Sequence, residues 1–225
     1  MYLILIKKKQ KKTLKSDRFK KKREENQKML TTLGIDIGLV NFSYCVLRKK
    51  IDKTQEILEW KRINLLDLCG FESGFSCKKV TPIDLHNISD FVFPKLFSQE
   101  FLEKYDVTHV AIEQQPHGKF CQIKMITLSH LLFSYFRRVV FQLQLPLTTV
   151  KMMAASQKYQ EQFLEKYKLS KQKRYNKRKA LGVEITERLG ADLLLDMNEM
   201  TKLEKPDDMA DSFLLAYSEQ LAWTF

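Results

Sequence analysis

The sequence predicts an α/β fold: a five-stranded mixed sheet, three antiparallel strands then two parallel ones, flanked by helices. Three runs rich in β-branched and aromatic residues open the globular part at hairpin spacing, which implies an antiparallel start. Two later strand-like runs are separated by helix-like stretches, which implies crossover connections and parallel pairing. With 225 residues, 44% hydrophobic, fifteen Phe and eight Tyr, the chain can bury one sizeable core.

The first strand is read at Thr31–Gly38, with Asp36 inside it and Gly38 at its end. Leu39-Val40-Asn41 make a turn into the second, Phe42–Arg48, and a third falls within Gln55–Ile63. Residues 66–81 hold two Gly and two Cys and form a loop. Ile83–Tyr105 has helical apolar spacing that breaks near Pro94, where a missing N–H and ring clash interrupt the hydrogen-bond ladder. Asp106–Gln114 alternates as a fourth strand, Ile123–Leu143 is a long apolar helix, and Pro146–Val150 is a short fifth strand. Residues 156–179 are polar and basic, Arg178–Leu189 is helical, and Pro206–Trp223 is the last helix, with Pro206 near its first turn.

The net charge of +12 is concentrated in two places. Lys7–Lys28 is net +9 and Lys151–Lys179 net +8, so the rest of the body is mildly acidic. That pattern suits a polyanionic partner. We read residues 1–30 as a basic N-terminal arm and 31–225 as the globular domain. No run reaches the roughly 18–20 apolar residues of a membrane span, and the apolar start precedes its lysines, the reverse of a signal peptide. Cys45, Cys69, Cys77 and Cys121 have no CxxC spacing, which favours a reducing, intracellular compartment and no zinc site. His86, His109, His117 and His130 have no ligand-like spacing either.

Four acids stand where charge gains nothing for folding. Asp36 interrupts Leu33-Gly34-Ile35-Asp36-Ile37-Gly38, Glu113 ends the run Val107–Ile112, and Asp208 and Asp211 share one face of the last helix. Each has a bland reading as turn, strand end or helix-start residue, the last through the helix dipole. Their joint occurrence points instead to a site for hard divalent cations. Asp207 points away from the pair and is assigned to capping or first-turn electrostatics.

Gly34-Ile35-Asp36-Ile37-Gly38-Leu39-Val40-Asn41, Ile112-Glu113-Gln114-Gln115-Pro116 and Asp208-Met209-Ala210-Asp211-Ser212 together resemble the RNase H-like Holliday-junction resolvases, of large-DNA-virus type and related to RuvC and the fungal mitochondrial enzymes. The resemblance spans about Thr31 to Trp223 and implies an RNase H-like fold. It implies a metal-dependent endonuclease that resolves four-way DNA junctions by symmetric paired nicks, leaving 5′-phosphate and 3′-hydroxyl ends. By it, Asp36, Glu113, Asp208 and Asp211 would bind two Mg²⁺, with Mn²⁺ as a substitute. A catalytic lysine ahead of the final helix would be Lys179 or Lys177. A homodimer is implied as well. It leaves the compartment open between a viral factory or virion and a mitochondrion or nucleus.

The basic residues expected on DNA are Lys119, Lys151, Lys171, Lys173, Arg174, Lys177 and Arg178, with Tyr159, Tyr167 and Tyr175 interleaved for stacking. Two rivals stay open: another RNase H-like nuclease acting on RNA–DNA hybrids or branched DNA, and a non-catalytic DNA-binding module. An actin-like ATPase ranks last, because no second phosphate loop is visible.

Overall fold

The computed structural model describes residues 29–115, 122–143, 149–158, 161–169 and 175–223. The expected arm up to residue 28, together with His117, Lys119, Cys121, Tyr159, Lys171, Lys173 and Arg174, lies outside these described residues. In chain order the strands are β1 (Leu30–Asp36), β2 (Phe42–Lys49), β3 (Gln55–Ile63), β4 (His109–Gln114) and β5 (Thr149–Ala154). The helices are α1 (Leu65–Leu68), α2 (Pro82–Asn87), α3 (Phe93–Leu96), α4 (Gln99–Lys104), α5 (Ile123–Leu143), α6 (Glu161–Lys166), α7 (Tyr175–Asp192), α8 (Asn198–Thr201) and α9 (Asp207–Ala222). The sheet order is β3-β2-β1-β4-β5. β1–β2 and β2–β3 are antiparallel, and β1–β4 and β4–β5 are parallel. This is the mixed, helix-flanked sheet that the sequence predicts.

The pleat sorts side chains between two layers, because successive residues of a strand point to opposite faces. Leu33 and Ile35 of β1, Phe42, Tyr44 and Val46 of β2, and Val110 and Ile112 of β4 join one core with α5 and the α2–α4 region. α5 buries Met125, Leu128, Leu132, Tyr135, Phe136 and Val139, the spacing of a single helical face. The alternate residues Cys45, Leu47 and Trp60 pack with α7 and α9 in a second core around Ile185, Leu189, Phe213 and Leu214. β1 and β4 therefore present Thr32, Gly34, Asp36, His109, Ala111 and Glu113 toward α9.

Two elements differ in detail from the sequence reading. The break expected near Pro94 within 83–105 falls after Leu96, where α4 follows separately, and a π-helical turn at Ile88–Val92 joins α2 to α3. Pro94 offers no N–H to the carbonyl four residues back, and a wider turn accommodates its ring. β5 begins at Thr149 and runs on to Ala154, in register with all of β4. Among the described residues, no helix is long and apolar enough to cross a membrane.

Candidate metal centre

The centre begins with register. Ile35 pairs with Ile112, so the next residues, Asp36 and Glu113, lie side by side at the carboxyl ends of two adjacent parallel strands. That is where open α/β sheets gather ligands. The first turns of α9 are pinned over this end. The Ser43 hydroxyl donates to the Asp208 carbonyl at 2.5 Å. The Trp60 indole N–H lies 3.0 Å from the Met209 carbonyl and 3.2 Å from the Ser212 hydroxyl. These bonds carry Asp211 onto the strand ends.

One oxygen from each of Asp36, Glu113 and Asp211 lies within 4.8 Å of the other two. Lys158 stands among them, almost fully buried. Its ammonium is 2.8 Å from Glu113 Oε1 and 2.9 Å from Asp211 Oδ2. Gln115 donates to the other Glu113 oxygen at 3.2 Å. The electrostatics follow. Burial and then the negative charge of Glu113, to which Asp36 is hydrogen-bonded, push the Asp36 carboxyl well above the usual range. Burial also acts to raise Glu113, but the Lys158 charge and the hydrogen bonds from Asp36, Lys158 and Gln115 outweigh it and hold Glu113 at about 2. Burial raises Asp211 despite Lys158. One ammonium cannot neutralise three packed carboxylates, and the deficit shows as the upward shift of Asp36. An all-oxygen donor set from three elements, with that deficit of positive charge, fits a hard divalent cation.

Asp208 is not part of the trio and has cations of its own. Lys179 of α7 lies 3.6 Å from Asp208 Oδ1, and Arg62 Nε lies 4.0 Å from Oδ2. Burial and neighbouring Asp207 raise the Asp208 carboxyl. Asp207 makes no cap hydrogen bond, since Pro206 holds the N-cap position. It is instead ion-paired with Lys179. Of the two roles expected for Asp207, capping is not found, while its place in the first turn of α9 is, and the contact with α7 is additional.

The other expected residues are dispersed. Lys151 is ion-paired with the buried Glu219 at 3.0 Å, two turns along α9 from Asp211. Lys177 and Arg178 are exposed near the start of α7, beside Lys179. Two residues near the acids are absent from the sequence reading. Lys158 looks like one more lysine of a basic segment, yet parallel pairing of Glu113 with Met153 and a 3-10 turn over Ala155–Lys158 return it to Glu113. Arg62 pairs in register with Ser43, which itself faces Asp36 across β1–β2. Its guanidinium donates to Asn41 at 2.6 Å. The strand order is the one signal that could have found either.

Residues 32–118 match the sequence model of a family described as "Mitochondrial resolvase Ydc2 / RNA splicing MRS1". No curated protein matches the sequence. The solved structure of the yeast mitochondrial Holliday junction resolvase Ydc2 superimposes with a TM-score of 0.61 at 20% identity, covering 84% of this chain and 78% of that one. RuvC of T. thermophilus in complex with a Holliday junction substrate gives 0.50 at 15% identity, over 85% of this chain and 93% of that one. A second Thermus thermophilus RuvC structure gives the same values. At such identities these structures speak for the fold, and the segment similar to the family model carries Asp36 and Glu113. The chain thus shares the fold of these resolvases, and its residues 32–118 are similar to the resolvase and splicing-protein family over less than half of its length.

Proposed function

We propose that the protein is a divalent-metal-dependent endonuclease that resolves four-way DNA junctions, with Mg²⁺ as its cation and Mn²⁺ as a substitute. The convergence of Asp36, Glu113 and Asp211 on Lys158 supports this reading most directly. The family description joins a resolvase to an RNA-splicing protein, so family alone does not choose an activity. A buried carboxylate trio is costly to keep in a protein that only binds, and it favours the nuclease.

Asp36, Glu113 and Asp211 would hold the cation, and Asp208 would supply a further oxygen at the outer edge. When bound, a divalent cation lowers the pKa of water and neutralises charge on phosphodiester oxygens. The chain does the rest. Lys158 keeps the carboxylates together before loading, and its ammonium is placed to face charge that develops on the phosphate. Lys179 is a second candidate for that task, on the Asp208 side. Lys177 and Arg178 would contact phosphates along the approach to α7, which makes binding steeply salt-dependent. The products would be a 5′-phosphate and a 3′-hydroxyl. A two-fold homodimer would match the symmetry of the junction and give paired nicks. Cys45, Cys69 and Cys77 are free thiols, which suits a reducing compartment.

The test is cleavage of a labelled synthetic four-way junction with Mg²⁺, wild type beside Glu113→Gln and Asp211→Asn. Symmetric paired nicks, lost in both variants while junction binding persists, are expected. Preferential cutting of an RNA–DNA hybrid would replace this reading with that of another RNase H-like nuclease. Tight junction binding without cleavage in any metal would leave a binding module.

A further inference from the structure

Asp207 is a carboxylate that the centre's own logic does not require. It opens α9 without capping it, stands next to Asp208 in sequence, and is half-buried. Its partner is Lys179, which reaches across from α7 and lies between two acids: in contact with Asp207, and 3.6 Å from Asp208 Oδ1. Asp208 also faces Arg62 at 4.0 Å. An ammonium in full contact with Asp208 would compete with a divalent cation for the same oxygens. Held by Asp207, it stands one step back.

We propose that Asp207 is a positioning residue that holds Lys179 away from Asp208 and so sets the divalent-cation affinity of the centre. The proposal rests on the cation-binding reading of these acids, and not on DNA cleavage. The physical requirement is competition for one charge. Lys179 has a long flexible stem, and its preferred partner is the carboxylate offering the better geometry. With Asp207 neutralised, the nearest remaining carboxylate is Asp208. The ammonium would then close the gap of 3.6 Å and occupy an oxygen that the cation needs. Partners that orient a ligand from the next layer out typically change metal affinity by about 10–100-fold when removed.

Loss of one negative charge would weaken cation binding somewhat wherever it stood, so a single variant does not isolate the idea. A double-mutant cycle does. Mn²⁺ binding to the DNA-free protein would be followed by electron paramagnetic resonance and calorimetry for wild type, Asp207→Asn, Lys179→Met and the double variant, with thermal melts to verify folding. Asp207→Asn should weaken Mn²⁺ binding about tenfold. In the Lys179→Met background the same substitution should cost less than about twofold, because the competing ammonium is gone. An equal loss in both backgrounds would make Asp207 a source of general negative charge and overturn the proposal, as would no loss in either.

Because the readout needs no DNA, it separates two failures. A wild type that cuts no junction but shows the coupling defeats the nuclease reading and leaves Asp207 its role. A wild type that cuts junctions but shows no coupling does the reverse.

Discussion

A Cβ placed on Gly34 would stand 2.2 Å from the carbonyl oxygen of Ser212, closer than any side chain is tolerated. Position 34 therefore decides how near α9 comes to β1, and with it whether Asp211 reaches Asp36. The same Cβ would meet the Ala216 backbone nitrogen at 2.5 Å. Both obstacles are backbone, so no rotamer change relieves them. Gly34→Ala should lower stability by about 1–3 kcal/mol or more, the cost of overpacking. A denaturant melt reads that loss. A variant as stable as wild type would show that α9 is free to move off the sheet.

Lys158 is the buried cation of the acid trio, bound at 2.8 Å and 2.9 Å to Glu113 and Asp211. Removing one partner of a buried pair costs about 3–5 kcal/mol, because the other is left uncompensated. Lys158→Met should show that loss in the presence of EDTA. Added Mg²⁺ should recover part of it, since a ligand bound only by the folded state stabilises that state. The measurement is the melting temperature of wild type and variant with and without Mg²⁺. If the cation raises neither, the trio does not bind it.

Asp36 and Lys158 mark what the sequence makes legible and what it hides. Asp36 is legible because a charge between Ile35 and Ile37 contradicts its neighbours, and Glu113 because it ends an alternating run. Local pattern alone exposes such conflicts. Lys158 conflicts with nothing nearby: it is a lysine before a basic stretch, and only the pairing of β5 with β4 makes it buried. Asp207 is hidden for the same reason, since its partner Lys179 lies on another helix. The β1–β3 hairpins and the span of α5 follow from local spacing. The π turn before Pro94 and the true extent of β5 depend on tertiary packing.

His109 gives the fold a predicted pH dependence remote from the acids. It is buried on β4, its ring packs against Trp223 with centroids 4.9 Å apart, and its Nδ1 lies 2.9 Å from the Thr108 hydroxyl. Burial lowers its pKa, opposed by Glu219 and assisted by Lys151. Unfolded His titrates near about 6.5, so below that pH the unfolded chain takes up a proton that the folded chain resists. The contribution of His109 to stability is intact above the unfolded value and is lost as pH falls from there toward the folded one. His109→Gln should flatten the stability profile below about pH 6.5 relative to wild type. Parallel profiles for the two proteins would remove His109 as the cause.

Trp60 tests whether β3 helps to place the centre. Its indole N–H serves both the Met209 carbonyl and the Ser212 hydroxyl, at 3.0 Å and 3.2 Å, while its ring packs on Phe213 with centroids 5.6 Å apart. Trp60→Phe keeps an aromatic ring and removes the donor. The Met209 carbonyl still receives the Ser212 hydroxyl at 2.8 Å, so it is not orphaned. The loss should be about 0.5–1.5 kcal/mol for the hydrogen bond, with a further packing cost for the smaller ring. Asp208 and Asp211 flank the tethered residues, so divalent-cation affinity should fall together with stability. A Trp60→Phe protein that melts lower yet binds Mn²⁺ as tightly as wild type would confine Trp60 to the core. It would leave the Ser43 hydroxyl, donating to the Asp208 carbonyl at 2.5 Å, as the bond that sets the helix start.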